Sequence, residues 1–93
     1  MTLLDVIARL HEYDDAHAIY AERDPEWTQS SRAVVGVEGD ADGLAYVLEV
    51  AAAKDAVRAW SQLRKNKLPS LRERYEAVVY YALNDAFLPA ELD

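Results

Sequence analysis

The chain has 93 residues, 52% of them hydrophobic, with a net charge of −7 and no cysteine. That is apolar material for one domain with a modest core, and too much for a disordered segment; the missing thiols exclude disulfides, thiolate nucleophiles and thiolate metal sites. No apolar run approaches the roughly 20 residues of a membrane-spanning helix, and the N-terminus, with Asp5 early and no basic segment, does not read as a signal peptide, so a cytoplasmic protein is expected.

Residues 2 to about 12 predict a helix. Thr2 can cap it, and Asp5 sits at the third helical position, where negative charge suits the helix dipole. Leu3, Val6, Ile7 and Leu10 make its buried stripe. Residues 17–22, HAIYAE, read as a strand on Ile19 and Tyr20, although Asp14 or Asp15 can also cap a short helix there. Asp24-Pro25-Glu26 then forces a turn, and Trp27 is expected to fold back over the sheet edge and shield it. Residues 32–38 and 44–50 are the clearest strands. The Gly39–Gly43 segment between them predicts a hairpin loop. In the second of these strands alternation places Leu44, Tyr46, Leu48 and Val50 on one face and Ala45, Val47 and Glu49 on the other. Gly36 marks a bulge or a close contact with an aromatic such as Tyr46.

Residues 51–63 predict a helix that buries Ala52, Ala56, Ala59, Trp60 and Leu63, and Arg64-Lys65-Asn66-Lys67 ends it with positive charge. A final helix lies between Pro69 and Pro89. Ser70 and Glu73 have capping-box spacing, and Leu71, Tyr75, Val78, Ala82 and Ala86 fall on one face with Val79 flanking. Tyr80 and Phe87 point the other way, with Leu83, beside Glu73, Glu76 and Asn84. An aromatic back of this kind is either covered by the chain itself or offered to a partner. The order α-β-β-β-α-α gives a single α+β domain over residues 1–93, a three-stranded antiparallel sheet packed against helices.

Catalytic and metal-binding patterns are weak. His11 and His17 are six apart across a helix end and match no recurrent zinc spacing, even with Asp14 or Asp15 as a third ligand. Asp40-Ala41-Asp42-Gly43 opens like a calcium loop, but Leu44 takes the next ligand position and Glu49 comes too early to close it. Ser30, Ser31, Ser61 and Ser70 have no strand-turn-helix elbow, and there is no glycine-rich phosphate loop. No metal and no cofactor are expected. The bases from Arg64 to Arg74 are better explained by helix-end charge and intrachain ion pairs than by nucleic acid, given the net charge. Residues 1–50 hold eleven acids against three bases, and residues 51–93 six against seven. Such an acidic half serves solubility, and it also speeds encounter with a basic partner.

Three stretches carry a family likeness: Ile19-Tyr20-Ala21 with Trp27-Thr28 and Ser30, Tyr46 to Val50 with Ala53-Lys54, and Tyr80-Tyr81-Ala82 with Asn84-Asp85-Ala86. Together they resemble a family of small acidic bacterial proteins of uncharacterised function with W-T-x-x-S, F/Y-x-L-E-V and Y-A-x-N-D-A segments. The resemblance spans about residues 3–88. It implies bacterial origin and a shared fold, with no catalytic residues to carry over. It also draws notice to Asn84 and Asp85, since a polar pair inside a helix binds a neighbouring backbone or a partner.

The reading reached from sequence is a non-enzymatic protein-binding module. Its sharper form is an immunity or antitoxin-like protein that occludes a basic partner such as a toxin or nuclease. The contact residues expected are Asp14, Asp15, Glu22, Asp24, Trp27, Glu73, Glu76, Tyr80, Asn84 and Phe87. The alternatives are a homodimeric structural or regulatory domain, with the Tyr80–Phe87 face buried between copies, and a small enzyme using a carboxylate pair.

Overall fold

Strand β1, Ala18–Ala21, is the centre of the sheet. The computed structural model describes residues 1–37 and 43–92. All four β1 residues are buried and both edges of the strand are paired, with β2 (Ala33–Gly36) on one side and β3 (Ala45–Glu49) on the other. Both pairings are antiparallel: Ala18 to Ala21 lie opposite Gly36 to Ala33 on β2, and opposite Glu49 to Ala45 on β3. The fold is therefore the expected α+β arrangement of a three-stranded antiparallel sheet packed against helices.

The expected hairpin between the second and third strands does not form. β1 lies between them, and since both outer strands run antiparallel to β1 they run parallel to each other, an arrangement a tight turn cannot join. Most of the segment read as its loop, with the Asp40 and Asp42 of the calcium-loop reading, lies outside the described residues. The strict alternation expected on β3 also fails. Ile19 pairs with Leu48 and Tyr20 with Tyr46, which leaves Val47 as a bulge, and Val47 and Leu48 are both buried. Gly36 is not the bulge. A Cβ built there meets nothing within 4 Å among the described residues, so no aromatic presses on it.

Helix α1 spans Leu3–Ala8 and runs into a 3-10 turn at Leu10–Glu12. Its capping box is complete: Asp5 N–H donates to Thr2 Oγ1 at 3.1 Å, and Thr2 N–H donates to an Asp5 carboxylate oxygen at 3.0 Å. Leu3, Val6, Ile7 and Leu10 are buried, as their spacing predicts. Trp27, expected over a sheet edge, is buried in the core at the end of β1. Its Nε1 donates at 3.2 Å to the carbonyl of Ala21, the last residue of β1, so the ring closes the end of the central strand.

Helix α2, Val50–Gln62, follows β3 without a loop. Glu49 at its N-cap gives no side-chain cap. Instead, Val50 N–H donates to His17 C=O at 2.8 Å and Ala51 N–H to Asp15 C=O at 3.3 Å, which satisfies donors that a helix start leaves free. Ala53 takes the core position expected of Ala52, and Leu63 is the exposed C-cap rather than a core residue.

Helix α3 spans Leu71–Asn84. It ends well before Pro89 because Asp85 adopts the left-handed conformation, φ 52°, with its N–H on Tyr81 C=O at 2.8 Å. Ala86, expected on the core face, is exposed beyond the helix. The rest of the expected face holds: Val78 is fully buried, and Leu71, Tyr75, Val79 and Ala82 pack on the main core, while Ala77 is buried on the adjoining side. Trp60, Ala77 and Leu88 form a small second cluster with Tyr80 against it, and this draws that side of the helix inward. Arg64 completes the closure. Its guanidinium lies 4.4 Å from the centre of the Trp60 ring and donates to Trp60 C=O at 3.0 Å and Pro89 C=O at 3.1 Å.

Candidate protein-binding surface

The two ends of α3 are fixed by local chemistry, and its free flank follows from them. At the start, Glu73 N–H donates to Ser70 Oγ at 3.1 Å and Ser70 N–H to Glu73 Oε1 at 2.8 Å. That second bond holds the Glu73 carboxyl below the usual glutamate range, with Lys67 at 3.5 Å adding to it. At the end stands the Asp85 cap. Between them Tyr75, Val79 and Leu83 recur every four residues and form a ridge, with Leu83 54% exposed.

A shallow groove flanks the ridge on each side. One, of about 440 Å³, lies between the ridge and Tyr80 and Leu88, with Arg72, Glu76 and Asn84 at its rim. The other, of about 390 Å³, lies between the ridge and the loop bearing Arg23, Glu26 and Trp27. Arg72 reaches Glu76 at 3.5 Å, and the Arg23 guanidinium lies 4.5 Å from the centre of the Trp27 ring, which stiffens both rims. Burial raises the Tyr75 phenol above its ordinary value, so it is a neutral hydrogen-bonding group at physiological pH. An apolar strip with a polar rim is the composition of a contact surface.

Of the contact residues expected from sequence, the structure brings Trp27, Glu76, Tyr80 and Asn84 to these grooves. Glu22 and Asp24 are exposed on the segment that leads from β1 to Trp27. Asp14 and Asp15 lie beyond the opposite end of β1. They are also engaged locally: Asp14 Oδ1 accepts from Ala16 N–H at 2.8 Å, and Asp15 pairs with Lys54. Glu73 is held in its cap. Phe87 leaves the flank altogether and packs on Tyr81, with ring centres 5.2 Å apart. The polar pair Asn84-Asp85 closes the helix instead of sitting inside it, and Asn84 Nδ2 donates to Tyr80 C=O at 2.9 Å. Tyr75 and Val79 pack on the core as their spacing predicts, and their four-residue spacing with Leu83 carries that line out to the surface.

Ser31, Ser61 and His11, also candidates from the sequence, have polar neighbours. Ser31 Oγ accepts from Thr28 N–H at 2.8 Å, so the serine that closes the Trp27-Thr28 turn is Ser31, where the W-T-x-x-S spacing falls, and not Ser30. Ser61 Oγ donates to Lys67 C=O at 2.8 Å. His11 and Glu12 approach at 3.8 Å, and no group of three or more potential ligands among the described residues is placed to hold a metal ion.

Residues 1–90 match a domain of unknown function, DUF7716. The chain belongs to the DUF7716 family. The match takes in every element of this DUF7716 chain from α1 to α3, and with them the ridge and both grooves. No curated protein and no solved structure matches it. No helix among its described residues is long and apolar enough to cross a membrane.

Proposed function

We propose that this DUF7716 chain is a non-enzymatic, cytoplasmic protein-binding module of bacterial origin that occludes a basic partner, in the manner of an immunity protein or antitoxin. The observation that carries this reading is the apolar line of half-buried Tyr75 and Val79 running out to exposed Leu83, with a groove on each side. Glu22, Asp24 and Glu26 extend from the Trp27 side of that surface, so acidic residues steer a basic protein while the ridge anchors it. Asp14 and Asp15 play no part in the contact on this reading, since they occupy the far end of β1.

The test compares tagged wild type with Leu83→Asp. Leu83 is exposed, so the change costs only about 1 kcal/mol of stability, from helix propensity and a negative charge near the helix C-terminus. The reading expects a basic protein retained near equal amount by wild type and weakened at least about tenfold, ~1.4 kcal/mol, by the variant. Equal retention of that protein by both forms would overturn it. The second reading, a homodimer, uses the same apolar ridge. Light scattering on the same samples then gives twice the chain mass for wild type and a monomer for Leu83→Asp.

A further inference from the structure

A different site lies where the 3-10 turn after α1, helix α2 and helix α3 meet. It is a cleft of about 320 Å³, near the lower end of the roughly 300–1,000 Å³ common to small-molecule sites. Ile7, Leu10 and Val57 make its apolar floor. Its polar lining is His11, Lys54, Arg58 and Arg74. None of these described lining residues is acidic, in a chain with 17 acids against 10 bases. In the grooves beside the α3 ridge the acids Glu76 and Glu26 belong to the lining itself, whereas here Asp15 and Asp55, which pair Lys54 and Arg58, stand outside it.

Arg74 is the sharpest feature. Its Nε is buried with no hydrogen-bond partner among the described residues. A buried cationic N–H without an acceptor is costly, and such groups are satisfied in proteins by an ion, a water or a ligand. Lys54 and Arg58 are anchored from outside the cleft lining. Lys54 Nζ pairs with Asp15 and donates to Tyr13 C=O at 3.2 Å, and Arg58 pairs with Asp55 at 2.7 Å. These bonds hold two further cations around the space that Arg74 borders.

We propose that this cleft binds a small organic carboxylate with a short branched apolar body. The carboxylate accepts from the terminal nitrogens of Arg74; Lys54 and Arg58 stand at the cleft's edge already paired to Asp15 and Asp55, and the alkyl group rests on Ile7, Leu10 and Val57. A lining of bases without acids disfavours an ammonium beside the carboxylate. The site therefore selects a simple acid over the corresponding amino acid. It shares no lining residue with the α3 ridge and stands whether or not the protein-binding reading holds.

The experiment is a titration of the full chain with 4-methylpentanoate, leucine, inorganic phosphate and isobutyl phosphate. It is followed by NMR on the Ile7, Leu10 and Val57 methyl groups. The expected result is saturable shifts with 4-methylpentanoate below about 10 mM, and at least about tenfold weaker binding of leucine and of inorganic phosphate. Arg74→Met, which keeps the apolar stem, should weaken 4-methylpentanoate at least about tenfold. Arg58→Met, on the exposed side of α2, gives the same comparison if the first variant does not fold. No methyl shift with 4-methylpentanoate, or equal binding of leucine, overturns the proposal. Unchanged affinity in the folded variants does so too. Tighter binding of isobutyl phosphate replaces the carboxylate with a phosphate monoester and overturns the ligand class.

Discussion

At the starts of α1 and α3, two side chains three residues apart close on backbone donors. Thr2 with Asp5 and Ser70 with Glu73 show in the sequence as capping pairs, and both close as full boxes. Such pairs are legible because the interaction spans three residues and needs no knowledge of the fold. Asp5 and Glu73 are held below their ordinary values, first by the backbone N–H of Thr2 and of Ser70 respectively. Groups with a depressed folded value stabilise the protein fully above the ordinary carboxylate range, and that contribution is lost as pH falls through the folded value. The melting temperature followed by circular dichroism should thus hold down to about pH 5 and fall below about pH 4. Ser70→Ala should cost about 1 kcal/mol at neutral pH and make the acid fall shallower. An equally steep fall in the variant would remove Glu73 from this role. Asp85 shows the limit of such reading: its acidic side chain drew attention as a contact, whereas its backbone conformation is what ends α3.

At the scale of elements, existence and type were readable, and pairing was not. Two strands separated by a glycine-rich stretch look like a hairpin, but the sheet order is β2-β1-β3. The clue lay in Ala18-Ile19-Tyr20-Ala21, an unbroken apolar run of the kind a central strand carries, where an edge strand with one wet face alternates. Likewise the bulge at Val47 depends on register against β1, which no pattern within β3 reveals. The core face of α3 is as its spacing predicts through Val78 and Ala82, but the burial of Ala77 is not legible there, because it depends on Trp60 and Leu88, distant in sequence. The weight resting on β1 is testable. Ile19 is fully buried at the centre of the sheet, and Ile19→Ala should cost about 2–5 kcal/mol in urea unfolding. That is a large fraction of the ~5–15 kcal/mol typical of small domains. A loss under 1 kcal/mol would mean that β1 is not the strand on which the core depends.

At the scale of the whole molecule, the sequence divides into an acidic half and a nearly neutral one, and the fold interleaves them. Asp15 meets Lys54, and His11 shares a cleft with Arg74. Charge counted along the chain therefore does not become two poles, which is why Asp14 and Asp15 part company with Glu22 and Asp24. About half of the surface expected from sequence gathers beside α3; the cationic cleft was illegible because three separate segments build it. The loopless passage from β3 into α2 bears on how this molecule breathes. The first amides of a helix usually trade their hydrogens with water quickly, because they have no partner within the helix. Here Val50 and Ala51 are bonded to the carbonyls of His17 and Asp15, so releasing them means prising the entry of β1 away from α2. In deuterium exchange the Val50 amide should be protected as strongly as that of Ile19, and exchange near the free-peptide rate would show that the joint opens alone. With the joint shut, sheet and helix give up their protons in one cooperative event.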